Sequence, residues 1–211
     1  YAKELRYHFP GTEQGIKEFN FKIDSGNLIG IMGGSGTGKT TLLQLLNGNI
    51  RPSHGEVSIN GFDILRDSHE VEGLIGNVTQ DDLLNEDLTV FENLYFSAQL
   101  SFKQLSKREI ARKVVDLLKA LGILYISKLK VGSPLDKIIS GGERKRLNLA
   151  MELIREPEIL FVDEPTSGLS SRDSIAIMTL LKELTIKGKM VFVVLHQPSS
   201  QIFKMLNRLV L

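Results

Sequence analysis

The sequence predicts an α/β fold: a mostly parallel sheet with flanking helices, an antiparallel β part, and an inserted helical lobe. Three observations carry that prediction. The apolar runs Ile159-Leu160-Phe161-Val162 and Met190-Val191-Phe192-Val193-Val194-Leu195 have the texture of parallel strands covered on both faces. A helix expected over Ser171–Ile186 separates them, which makes a βαβ crossover. The first third of the chain alternates apolar and polar residues, whereas the stretch after Gln80 becomes helical in texture.

Taken in order, Glu4-Leu5-Arg6-Tyr7-His8-Phe9 is strand-like, and Phe19, Phe21 and Ile23 then fall on one face of a strand whose other face carries Asn20, Lys22 and Asp24. Leu28-Ile29-Gly30-Ile31-Met32 reads as a short buried strand, and Thr41-Leu42-Leu43-Gln44-Leu45-Leu46-Asn47 as a helix closed by Gly48. Val57 and Ile59 alternate just before Asn60-Gly61, a dipeptide that turns a hairpin. Leu74-Ile75-Gly76-Asn77-Val78 is another strand, ending at Thr79-Gln80. Thr89 with Glu92 forms a capping box for a helix to about Leu100. Ser106 with Glu109 forms a second, for a helix carrying Ile110, Val114, Leu117, Leu118 and Leu121 and stopped by Gly122. A third helix is expected from near Gly141 to Arg155. The division that follows is a core made of 1–80 and 158–211, with a helical lobe, 81–157, inserted between its parts.

The 211 residues are enough for one large domain or one domain with an inserted lobe. A hydrophobic content of 42% and a charged content of 24% are those of an ordinary globular protein. A formal net charge of +1 makes no case for nucleic acid or an anionic membrane surface as partner. No apolar window is long enough to span a bilayer, and no signal-peptide pattern opens the chain. With no cysteine there are no disulfides and no thiolate metal sites, which is compatible with a cytosolic setting. The chain opens without Met on a strand-like segment and stops inside Arg208-Leu209-Val210-Leu211, so a domain excised from a longer chain is expected.

The most informative motif is Gly33-Gly34-Ser35-Gly36-Thr37-Gly38-Lys39-Thr40, which fits G-x-x-x-x-G-K-[ST] between a strand and a helix. Glycines let successive backbone N–H groups point inward at phosphates, and the helix N-terminus adds partial positive charge. Lys39 can reach β- and γ-phosphates, and the Thr40 hydroxyl can ligate Mg²⁺. With Thr41 these residues form the candidate nucleotide-binding set, and the core is expected to be that of a P-loop NTPase.

Other motifs gain meaning beside it. The strand Ile159-Leu160-Phe161-Val162 ends in Asp163-Glu164, at the carboxyl edge where α/β sheets bind ligands. Asp163 can hold Mg²⁺ through water, and Glu164 can take a proton from an attacking water. Ser140-Gly141-Gly142-Glu143-Arg144 offers a second anion-binding nest at a helix start. In isolation those five residues read as a flexible turn, with Arg144, Lys145 and Arg146 as a solvated helix face. His196, ending the last long apolar strand, can donate to a γ-phosphate, and the Gln80 amide can reach Mg²⁺ or the attacking water. Phe9 stacks on an adenine ring or serves as a core aromatic at a strand end.

The order of P-loop, post-strand glutamine, Ser-Gly-Gly-Glu-Arg, Asp-Glu strand and His-ending strand resembles the ATP-binding domain of ABC transporters over essentially the whole chain. Ile139-Ser140-Gly141-Gly142-Glu143-Arg144-Lys145-Arg146, Asp163-Glu164-Pro165-Thr166-Ser167-Gly168-Leu169 and His196-Gln197-Pro198-Ser199-Ser200 are similar to the G subfamily, the white and pleiotropic-drug-resistance type. The resemblance implies an ATP-binding core with a helical signature lobe. It implies ATP and Mg²⁺ as cofactors, and a head-to-tail sandwich of two identical or similar domains. ATP on Lys39 and Thr40 of one copy would meet Ser140 and Gly142 of the other. By the same carry-over Phe9 stacks on adenine, Gln80 contacts Mg²⁺ and the coupling surface, Glu164 is the base and His196 holds the γ-phosphate. The implied activity is ATP hydrolysis powering transport through an attached transmembrane domain, at the cytoplasmic face of a membrane. Two alternatives stand beside it: a soluble ABC ATPase that does not transport, and a non-hydrolysing ATP-sensing module. One position departs from the family: Ser170 stands where an aspartate usually follows Ser167-Gly168-Leu169, with Asp173 further on, so loose coupling between the two sites is expected.

Overall fold

Two sheets organise the chain, which the computed structural model describes over residues 1–12, 14–133 and 138–210. The first is antiparallel, with β1 (Ala2–His8), β2 (Gly15–Phe21), β4 (His54–Ile59) and β5 (Phe62–Asp63) in the order β2-β1-β4-β5. The Asn60-Gly61 turn joins β4 to β5 with both residues at positive φ, as a tight hairpin requires. The second sheet is parallel, with β3 (Leu28–Met32), β6 (Ile75–Val78), β7 (Ile159–Asp163), β8 (Met190–Leu195) and β9 (Arg208–Val210) in the order β6-β7-β8-β3-β9. β9 falls on the apolar run expected near the end, whose Leu211 lies outside the described residues.

The parallel strands are apolar on both faces because both are covered. Ile29, Ile31, Ile159, Phe161, Phe192 and Val194 face one core, shared with the antiparallel sheet and with α1 (Lys39–Leu46). Their neighbours Leu28, Leu160, Val162, Val191, Val193 and Leu195 face a second core. That second core continues without a break into α3 (Val90–Ser101), α4 (Lys107–Ala120), α5 (Gly141–Leu153) and α6 (Ser171–Ile186). Short helices α2 (Ser68–Val71) and α7 (Ser200–Phe203) complete the set.

Helix starts follow their capping residues. Thr89 and Ser106 each accept the N3 amide while Glu92 and Glu109 reach back to the cap, holding both carboxyls below their ordinary range. α4 ends at Ala120, with Leu121 as its C-cap and Gly122 left-handed behind it. Phe9 falls one residue beyond the end of β1, and α5 stops at Leu153 rather than Arg155, with Ile154 as its C-cap.

Candidate nucleotide-binding site

Because every strand of the second sheet runs the same way, their carboxyl ends share one edge. Register fixes the alignment there: Val78 lies opposite Val162, Asp163 opposite Val194, and Leu195 opposite Met32. Reading across that edge, Gln80 follows β6, Glu164 follows β7, His196 follows β8 and Gly33 follows β3. Residues more than a hundred positions apart in sequence are thus brought to adjacent strand ends.

The loop from Gly33 to Gly38 is largely exposed and leads directly into α1. Gly38 is the N-cap, at φ +90°, a backbone that side chains rarely adopt, and a Cβ there would lie 2.9 Å from the terminal methyl of Ile16. With no side-chain cap, the first-turn N–H groups and the helix dipole are left for an anion. Lys39, only 8% exposed, donates its ammonium to the Gly34 carbonyl at 2.6 Å, and the Thr37 hydroxyl donates to the same oxygen at 3.0 Å. Both side chains therefore fold back onto the loop. Thr40 and Thr41 follow in the first turn of α1.

Phe9 is 40% exposed, with its ring edge-on to Tyr7 at 5.2 Å. It borders an open cleft of about 440 Å³ that it shares with Gln14, Ile16, Gly36, Thr37 and Gly38. An aromatic face therefore stands beside the glycine loop, outside the core. A cavity of about 470 Å³ elsewhere, between the two sheets and lined by Phe21, Phe161 and Phe192, contains none of the glycine-loop residues.

Asp163 closes β7 in a buried position, with Oδ1 lacking any partner among the described residues. Burial pushes its carboxyl above the ordinary range and the neighbouring Glu164 charge adds to this, while the Thr40 hydroxyl, Lys39 and Lys145 pull the other way. An orphaned carboxylate oxygen next to a threonine hydroxyl is the donor chemistry that suits Mg²⁺, which takes few protein oxygens and completes its shell with water and phosphate. No group of three or more His, Cys, Asp or Glu that would hold a metal occurs among the described residues. Glu164, next along, sits at φ +46°, a left-handed conformation unusual for a non-glycine residue. Its Oε1 lies 3.5 Å from Nε2 of His196, so base candidate and phosphate-donor candidate are neighbours.

Ser140 caps α5 by a third capping box: its hydroxyl accepts the Glu143 amide at 3.3 Å and its own amide donates to Glu143 Oε2 at 2.6 Å. The spacing Ser140-x-x-Glu143 carries that signal in the sequence, beside the glycine pair. Glu143 also receives the Tyr125 hydroxyl. Burial raises the Glu143 carboxyl, but hydrogen bonds from Tyr125 and Ser140 outweigh it and leave it below the ordinary range. Ser140 and Gly141 are exposed.

The three basic residues that follow are not a solvated face. Arg144 holds Asp82 with two hydrogen bonds, at 2.7 and 2.9 Å, and donates to the Gly132 carbonyl. Lys145 donates to the Gln80 carbonyl at 2.6 Å; burial lowers its ammonium against the pull of Asp82, Asp81, Glu164 and Asp163. Arg146 pairs with Asp173 in α6 at 3.2 Å. Nothing in the local pattern shows that a run of like charges fans out to three separate segments.

Comparison with known proteins agrees with this geometry. The family model described as ABC transporter matches residues 16–167. The chain is 40% identical over 95% of its length to ABC-type transporter claG of Penicillium crustosum. It is 42% identical over 90% of its length to Protein scarlet of Drosophila melanogaster, and 39% identical over 95% to ABC transporter G family member 26 of Arabidopsis thaliana. It spans 27%, 29% and 29% of those relatives, less than a third of each. With the glycine loop, the Asp-Glu strand end and the Ser-Gly-Gly helix cap in one P-loop α/β fold, the chain belongs to the ABC transporter family, as an ATP-binding domain of the G type.

Proposed function

We propose that this domain binds MgATP at the carboxyl edge of its parallel sheet and hydrolyses it, powering transport of a substrate across a membrane. The observation that carries the reading is the convergence of Lys39, Thr40, the unpartnered Asp163 oxygen and the Glu164–His196 pair at adjacent strand ends. Gly33, Gly34, Ser35, Gly36, Thr37 and Gly38 would cradle the phosphates through backbone N–H groups. Lys39 would exchange the Gly34 carbonyl for β- and γ-phosphate oxygens, and Thr41 would add a first-turn contact. Phe9 would stack on adenine from across the cleft. Thr40, Asp163 and Gln80 would hold Mg²⁺, whose chemistry there is to neutralise phosphate charge. Glu164 would accept the proton of the attacking water and His196 would donate to the γ-phosphate, with positioning and charge neutralisation supplying most of the catalysis.

The second nest points to a paired arrangement. α5 packs against β6, where Asn148 donates to the Thr79 carbonyl and Glu152 accepts the Asn77 amide. β6 stands three strands from β3, about 14 Å at ordinary strand spacing. Ser140 and Gly142, at the start of a helix packed on that strand, would then stand apart from their own P-loop and suit the nucleotide of a second domain, head to tail. In this reading 1–80 and 158–211 form the ATP-binding core and 81–157 the signature lobe. The partner is an identical or similar domain, and a transmembrane domain on the same full-length chain receives the motion at the cytoplasmic face. No helix among the described residues is long and apolar enough to cross a membrane. A non-transport ATPase and an ATP-sensing module are not favoured, because the relatives are named as transporters and the hydrolytic residues are all present.

Phosphate release from ATP by the full-length protein, with Mg²⁺ and with it chelated, tests the reading. Magnesium-dependent turnover is expected; ATP binding without turnover would return the domain to the sensing class.

A further inference from the structure

Asp173 stands one helical turn beyond Ser170, in the first turn of α6, and both of its carboxylate oxygens are engaged within the chain. Oδ2 accepts the Ser170 hydroxyl at 2.7 Å, and Oδ1 accepts Nη2 of Arg146 at 3.2 Å. Oδ1 also lies 2.7 Å from where a Cβ on Gly142 would be, so the carboxylate is lodged against the backbone of the Ser-Gly-Gly nest. Only a glycine at 142 admits that approach. The Arg146 side chain is 20% exposed, its Nε is buried with no partner among the described residues, and its Nη2 makes the ion pair with Asp173.

We propose that Asp173 is the positioning residue for the nest: through Gly142 and Arg146 it clamps the first two turns of α5 to the start of α6, which directly follows the Glu164 turn. Nest and Glu164 then shift together when two domains close on ATP. The clamp lies inside one chain, where a residue at 170 reaching across a dimer would lie between chains. This rests on the reading that paired domains share each nucleotide, and it goes beyond it by naming what ties the nest that serves one nucleotide to the Glu164 that serves the other. A carboxylate–guanidinium contact of intermediate exposure is strong enough to hold that tie and weak enough to leave folding intact.

The test uses the full-length protein with Asp173→Asn, Arg146→Gln, the double variant and Ser170→Ala, measuring the ATP concentration for half-maximal turnover and the affinity for a fluorescent ADP. ADP reports the P-loop alone, because without a γ-phosphate it does not draw the partner nest closed. Each of the first two variants is expected to raise half-saturating ATP about fivefold, with ADP affinity within about twofold of wild type. The double variant should do no worse than the larger single, since both remove one contact. Ser170→Ala, which keeps the Arg146 pair, should move the midpoint less than about twofold. Unchanged midpoints, a multiplicative double variant, or an equal effect of Ser170→Ala would each overturn the proposal. A wild type whose turnover fails to require a second functional domain, read by mixing with a Lys39→Ala subunit, would instead sink the paired-site reading on which it rests.

Discussion

The Lys39 ammonium and the Gly34 carbonyl, five residues apart in one loop, form a 2.6 Å hydrogen bond that closes the glycine loop on itself. The bond gives an almost buried cation a polar partner, and in the proposed site a phosphate oxygen would take that carbonyl's place.

Removing that cation should leave the fold and weaken the ligand. Lys39→Ala is expected to cost roughly 10- to 100-fold or more in MgATP affinity, the worth of one or two charge-assisted hydrogen bonds. Calorimetric titration of both forms measures it, and an unchanged affinity would place Lys39 outside the site.

Glu164 sits at the sheet edge with its Oε1 3.5 Å from His196 Nε2 and its backbone in the left-handed region. Glu164→Gln should retain ATP binding while hydrolysis slows by about 10²–10⁴-fold, the usual contribution of a general base. ATP shared between domains should then accumulate as a dimer, visible by light scattering. Normal turnover in this variant would assign the base elsewhere.

Asp163 gives a pH-dependent stability with an unusual sign. Its folded pKa lies above the unfolded value, chiefly through burial, so it favours the fold only when protonated. That contribution is complete below the unfolded value, about pH 4, and is lost as pH rises through the folded pKa. Asp163→Asn should therefore raise the melting temperature of the nucleotide-free protein at pH 7, with the gain vanishing as pH falls to about 4. The same variant should lose the protection that MgATP gives the wild type. A nucleotide-free variant that melts lower than wild type at pH 7 would mean that the carboxylate is already compensated.

Most of the fold was legible because its signals are local. Capping boxes at Thr89 and Ser106, the Asn60-Gly61 turn and apolar runs such as Ile159-Leu160-Phe161-Val162 each fix an element from a few adjacent residues. Placing Asp163 and His196 on one edge needed only the rule that parallel strands share a carboxyl end. What stayed hidden depends on side chains crossing between elements. Arg144, Lys145 and Arg146 look like a charged helix surface until the Gln80 loop and α6 are folded against them. The exposure of Phe9 depends on where β1 ends, one residue before it, and a two-residue period carries no mark of a strand's last residue.

Ser170 shows how the fold changes an expectation. From the sequence, restoring the family aspartate with Ser170→Asp should raise turnover or cooperativity by bringing a fixed charge to the interface. In the structure Ser170 is the N-cap of α6, accepting the Asp173 amide at 3.1 Å and donating to the Asp173 carboxylate at 2.7 Å. An aspartate at 170 keeps the cap, since its carboxylate accepts the same amide, but it has no proton to donate and sets two carboxylates face to face. Asp173 is then driven off Arg146 unless one of them protonates. Ser170→Asp alone is accordingly expected to reduce cooperativity in ATP, and Ser170→Asp with Asp173→Ser, which relieves the repulsion but has no carboxylate left for Arg146, should not recover it. Hill coefficients and turnover of the full-length single and double variants decide the matter. A single variant as cooperative as wild type would show that the two carboxylates coexist and that repulsion at this helix start is relieved by solvent.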